Sequence, residues 1–175
     1  MQLISTILPL LLSSTVSLAL PVTKRTAATI LSDISNISSG VATLTSDATA
    51  FTGGLLQSLA LATDVESLES SITTTTSDAT SSSTFTDAES DKILAALTTL
   101  TPQIVTLLTD LDAKASTVSS AGYTSTVLSA LKTLTTDTDA LFAALKAKVD
   151  STDAASLVTL QSKVDAAFAT AVTTF

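Results

Sequence analysis

Residues 30–51, ILSDISNISSGVATLTSDATAF, decide how the chain is read. Ile30, Ile34, Ile37, Val41, Leu44, Ala48 and Phe51 recur in six consecutive steps of four and three. That spacing keeps one apolar stripe on one side of a helix and is incompatible with the alternation of a strand. Gly53-Gly54 ends the helix, because glycine enters the left-handed cap conformation without a Cβ clash. A second stripe, Leu55, Leu59 and Ala62 with Leu61, Val65, Leu68 and Ile72, makes helix 2, and the hydroxyl-rich stretch from Thr73 to Thr84 is expected to be a loop or a frayed end.

The same periodicity continues to the last residue. Thr86 and Glu89 have capping-box spacing, in which the hydroxyl accepts from the Glu89 N–H and the carboxylate reaches back to that of Thr86. They open helix 3, whose seam is Ile93, Leu97, Leu100, Ile104, Leu107 and Leu111. Pro102 interrupts the hydrogen-bond ladder but not the phase, so a kink near Pro102 is expected rather than a break. A turn at Ser119-Ser120-Ala121-Gly122 leads to helix 4, with Val127, Leu131, Leu134, Thr138, Leu141 and Leu145. Helix 5 follows Asp150–Asp153, with Leu157, Leu160, Val164, Phe168, Ala171 and Phe175. The expected fold is all-α, an antiparallel bundle of about five amphipathic helices.

Composition narrows the function by exclusion. The 175 residues include no Cys, His or Trp and one Arg, with 8 basic against 16 acidic residues. Catalysis and zinc sites built on imidazole or thiolate, and disulfides, are therefore impossible, and a nucleic-acid partner lacks its basic patch. Only 14% of residues are charged while 26 are Ser and 34 are Thr, so any surface is covered mainly by hydroxyls. The 45% apolar content separates the chain from a disordered stalk.

Asp110/Asp112 and Asp137/Asp139 are two apart and cannot share a helix face, and Glu66 and Glu69 share one without a histidine. They read as solvated acids, with no catalytic residue, metal or cofactor to name, and the chain is read as a non-enzyme.

Residues 1–19 have the apolar run of a secretory signal, with Ser17 and Ala19 at the −3 and −1 positions of a cleavage site. An uncleaved anchor is the alternative, although Pro9 and five hydroxyl residues make a poor span. Lys24-Arg25 reads as a dibasic processing site that closes a short propeptide, 20–25, or else as two solvated bases. Removing 25 of the 175 residues leaves one 150-residue domain, 26–175, with no transmembrane segment and 6 Lys against 16 acids. Asn36-Ile37-Ser38 is a glycosylation sequon off the helix 1 seam, and the Thr73–Thr84 hydroxyls are candidates for O-mannosylation.

Phe51-Thr52-Gly53-Gly54, Leu100-Thr101-Pro102, Gly122-Tyr123 and Asp165-Ala166-Ala167-Phe168, on a Cys-free helical background, resemble the fungal hydrophobic surface-binding protein A family and its cell-wall galactomannoprotein relatives. The resemblance spans residues 26–175. It implies a secreted or wall-associated protein that adsorbs to hydrophobic surfaces and, in some relatives, a bundle enclosing a fatty acid. The apolar candidates for such a pocket are Leu97, Leu100, Ile104, Leu107, Leu131, Leu134, Leu141, Val164 and Phe168, with Thr101, Gln103 and Thr138 as candidates for a carboxylate headgroup. The same residues also read as ordinary core, with Thr138 bonded to its own helix and Gln103 in solvent. The alternative function is a structural wall mannoprotein, associated with polysaccharide and without a specific ligand.

Overall fold

The structure, a computed structural model, describes residues 25–175. Cleavage after Ala19 and the Lys24 half of the dibasic site lie outside the described residues. Five long helices, α1 (Ala27–Ala50), α2 (Leu55–Ser81), α3 (Asp87–Asp112), α5 (Thr124–Lys146) and α6 (Ser151–Thr174), are joined by one short helix, α4 (Ala115–Ser120). The short helix is an addition to the turn expected before Gly122.

The first stripe forms the core side of α1, where all seven of its residues are buried. Thr26 caps α1 by accepting from the Thr29 N–H at 3.3 Å. The turn that follows contains Gly53 at φ +95°. Gly54 has no side chain to cap α2, and Gln57 substitutes for one. Its Oε1 accepts from the N–H groups of Thr52 and Gly54 at 3.0 and 3.3 Å, and its Nε2 donates to the Ala50 carbonyl at 3.1 Å. Gly53→Ala is expected to destabilise the protein by about 1–2 kcal/mol through backbone strain alone. An added Cβ meets nothing nearer than 3.6 Å, so a urea midpoint equal to that of the parent would refute this account.

The stretch Thr73–Thr84 departs from expectation: α2 continues to Ser81. Thr75 and Ala79 are both fully buried and extend the Leu68, Ile72 stripe by steps of three and four. The hydroxyls of Thr73, Thr75, Thr76 and Thr80 each donate to the carbonyl four residues back. With its polar atom satisfied inside the helix, a threonine presents its methyl group to the core. The other half of α2 departs in the opposite sense. No residue from Leu55 to Ser67 is buried, and Leu55 and Leu59 of the expected seam are 74% and 65% exposed.

α3 runs through Pro102 as one helix. At its start Thr86 and Glu89 close the expected capping box, and the Glu89 carboxylate accepts from both the Thr86 N–H and the Thr86 hydroxyl at 2.9 Å. These bonds hold the Glu89 carboxyl below its usual range. By length and composition α3 is the one described helix that could cross a membrane, but here it is a core helix packed against α1 and α6.

The long helices close into a ring in the order α1, α3, α6, α5, α2 and back to α1. Successive long helices alternate in direction along the chain, as the bundle reading expected. In space, however, α1, α3 and α6 run one way, and α2 and α5 the other. Ser38 on α1 bonds Gln103 on α3, and Lys114 just after α3 reaches the Phe51 carbonyl at 3.4 Å. At the lower end the Asp150 N–H donates to Ser90 Oγ, and Lys148 donates to the carbonyls of Thr80 and Ser82 at 2.9 and 2.7 Å. The α2–α3 loop crosses this end, pinned by a 2.8 Å bond from the Phe85 N–H to the Lys148 carbonyl. α4 lies at the upper end with Gly53 against Ala121.

Candidate functional site

A ring of five amphipathic helices points five apolar stripes at one axis. About midway along that axis lies a void of about 30 Å³. Ile37 and Val41 of α1, Leu68 and Ile72 of α2, Ile104, Leu107 and Leu108 of α3, Leu134 and Thr138 of α5, and Phe168 of α6 line it. Every long helix therefore contributes to one wall. The void has room for little more than one or two waters, and its lining offers them no set of polar partners. An acyl chain is accommodated only if the ring side chains part.

Of the residues singled out from sequence, Ile104, Leu107, Leu134, Thr138 and Phe168 converge on this void. Leu97, Leu100, Leu131, Leu141 and Val164 are buried in the surrounding core but do not line it. Ile37, Val41, Leu68 and Ile72 belonged to stripes already read from the sequence. Pro102 marks α3 and its partners in the sequence, and nothing comparable marks α1 and α2.

The polar candidates occupy three different settings. Thr138 is 5% exposed, lines the void, and makes no side-chain hydrogen bond among the described residues. Thr101 is buried beside Leu100 in the α3 core. Gln103 is half-buried and accepts a 2.6 Å bond from the Ser38 hydroxyl across the α1–α3 seam. Each partner is adjacent in sequence to a lining residue, Ile37 or Ile104. Of the modification and processing candidates, Asn36 is exposed on α1 and Arg25 pairs with Asp78 at 2.9 Å.

Carboxyl groups oppose one another across the ring seams. Asp33 and Asp78, and Asp47 and Asp64, face each other between α1 and α2; Glu69 faces Asp137 between α2 and α5; Asp139 faces Asp165 between α5 and α6. Asp153 on α6 meets Asp150 at the cap of its own helix first, and beyond it Asp91 and Asp87 on α3. Partial burial, reinforced in most cases by the neighbouring carboxyl, raises Asp33, Asp64, Glu69, Asp137, Asp153 and Asp165 above the usual range. Asp137 and Asp139, which share no face of their own helix, thus each meet an acid from another. Among the described residues no three such groups converge to hold a metal.

A closed helical ring around an apolar axis, without a convergent polar centre, is the architecture of a protein that holds apolar material. The sequence profile of the hydrophobic surface binding protein A family matches residues 27–147, and the chain belongs to that family. The crystal structure of AfMP4p in complex with palmitic acid is 42% identical, with a TM-score of 0.84, and the match covers 85% of this chain and 99% of that one. Ligand binding domains 1 and 2 of Penicillium marneffei MP1 protein, both complexed with arachidonic acids, share the fold at 17% and 18% identity. Their TM-scores are both 0.80, covering 85% and 87% of this chain and 98% and 97% of theirs. Comparison with curated proteins gives no match.

Proposed function

We propose that this protein binds a long-chain fatty acid within the helical ring, as a carrier that catalyses no reaction. The observation that carries the reading is an apolar void to which all five long helices contribute. Membership of the family and the palmitic acid complex of a 42% identical structure support it. The acyl chain lies along the axis and displaces the lining side chains. Helices of 23 to 27 residues are about 35–40 Å long, enough to flank such a chain over its whole length. Thr138, with an uncommitted hydroxyl on the void wall, and the Ser38–Gln103 pair across the α1–α3 seam, each next in sequence to a lining residue, are the carboxylate contacts.

The surrounding biology belongs to the same proposal. The chain is exported by its N-terminal signal, trimmed after Arg25, and released or retained in a fungal wall through polysaccharide contacts. Asn36, exposed on α1, carries a glycan. Cleavage after Arg25 removes the cation that faces Asp78.

Displacement of a fluorescent fatty acid by palmitic acid tests the central claim. Saturable displacement at one site per chain is expected, accompanied by a rise in melting temperature, since a ligand at a hundred times its Kd stabilises the folded state by about 2.7 kcal/mol. No saturable binding and no thermal shift would refute it.

A further inference from the structure

The ring is lopsided in charge along its axis. Residues 48–63, 115–131 and 166–175 contain no Asp, Glu, Lys or Arg, and all three stretches meet at the upper end, where α1 turns into α2, α4 crosses and α6 finishes. The charged side chains nearest that end are Asp110, Asp112 and Lys114 at the α3–α4 corner, where Lys114 turns to the Phe51 carbonyl, and the Asp47/Asp64 pair farther down the α1–α2 seam. The lower end, by contrast, carries Arg25, Asp78, Lys148, Asp150 and Asp153.

Within the charge-free stretch 48–63 of this end, Leu55, Leu56 and Leu59 are 74%, 82% and 65% exposed. Leu59 lies four residues after Leu55 and three after Leu56, spacings that put the three on one face of α2. Isolated exposed leucines are ordinary, but three on one face in a charge-free region form a patch. Among the described residues the other exposed large apolar side chain, Val158 on α6 at 50%, stands apart from them in sequence and on another helix.

We infer that the protein docks end-on, through Leu55, Leu56 and Leu59, on the acyl region of a lipid assembly and takes up its ligand there rather than from water. The uptake half rests on the fatty-acid reading above. Charge selects the partner: hydrocarbon penalises every charged group brought into it, α2 brings none before Asp64, and Lys114, the cation beside the α1–α2 turn, is turned onto the Phe51 carbonyl. Three leucines offer far less than the ~800 Å² per partner that a stable protein dimer buries, so a second copy is the weaker occupant. From this end an acyl chain reaches the void past Leu61, Val65, Leu111, Val127 and Phe175, all only partly buried. The opposite end is crossed by the Phe85 loop and tied by Lys148.

Flotation with uncharged phosphatidylcholine vesicles tests the docking, and transfer of a fluorescent fatty acid from those vesicles tests the uptake. Wild-type protein is expected to float, and L55S/L56S/L59S to partition about 100-fold more weakly, from roughly tenfold per leucine discounted for partial insertion. Transfer should slow in parallel, while V158S behaves as wild type. Because the leucines are exposed and do not line the void, binding of monomeric fatty acid by the triple variant stays unchanged. Equal flotation of wild type and the triple variant, or no flotation of wild type, overturns the proposal. So does a wild-type dimer that the triple substitution dissolves without any effect on vesicles. Leucine-dependent flotation with no binding of monomeric fatty acid sinks the fatty-acid reading and the uptake half, and upholds the docking surface.

Discussion

Phe168→Ala is expected to destabilise the ligand-free protein by about 3–5 kcal/mol, the range for truncating a buried phenylalanine. Phe168 is 4% exposed and is the sole contribution of α6 to the axial void. Its removal takes away both the transfer energy of the ring and the contacts on the far side of the space it leaves. At about 2–4 °C per kcal/mol for a domain of this size, the melting temperature falls by about 6–20 °C. The informative part is what palmitic acid does next. The substitution enlarges the space the acyl chain must otherwise open by displacing side chains, so ligand should stabilise the variant more than the parent and narrow the gap between them. Leu145→Ala is the control. Leu145 is fully buried but does not line the void, and its loss costs about 2–5 kcal/mol. Ligand should leave that gap unchanged. Equal rescue of both variants would place the ligand elsewhere.

The contrast between those two positions also marks how far the sequence can be read. The stripes through Ile30–Phe51, Ile93–Leu111, Leu131–Leu145 and Leu157–Ala171 became core almost residue for residue, because a period of 3.6 has one structural solution. On α2 the same rule failed twice. Thr75 and Ala79 continued the stripe where a hydroxyl-rich run suggested a loop, since the bond to the carbonyl four residues back turns threonine into a β-branched apolar side chain. Leu55 and Leu59 held the right period yet found no partner, and periodicity cannot report whether a neighbour exists. Ring order was beyond reach for a related reason. The α2–α3 and α3–α5 connections cross the ends of the bundle, so α3 packs on α1 and α6 rather than on the long helices next to it in sequence. That order brings Ile37 and Leu68 to the same void as Phe168, and it sets lone acids on separate helices face to face.

Those facing acids lead to the second large effect: stability should rise as the pH falls from neutral into mild acid. Asp33, Asp64, Glu69, Asp137, Asp153 and Asp165 all titrate above their usual values in the folded protein, chiefly because burial disfavours the charged form and in most cases also because another carboxyl lies opposite. A folded-state value above the unfolded one means that the folded protein binds more protons in that window. Their contribution is fully present below the usual 3.8 for aspartate and 4.5 for glutamate, and is lost as the pH rises through the raised values. Glu89 and Asp150 work in the opposite sense. Backbone N–H groups at the starts of α3 and α6 hold both below their usual values, so their contribution is lost as the pH falls through that lower range. The melting temperature is therefore expected to be higher in mild acid than at pH 8, and to fall again once the pH drops through the lowered range of Glu89 and Asp150. Asp33 has an internal counterweight in Arg25, which lowers it. Protein cleaved after Arg25 should therefore show a steeper loss of stability between pH 5 and pH 8 than protein that retains it, provided the acids across the α1–α2 seam set the slope. Thermal melts of both forms across that range decide the matter, and a flat profile, or one that rises toward pH 8, would show that the seam carboxyls are solvated rather than opposed.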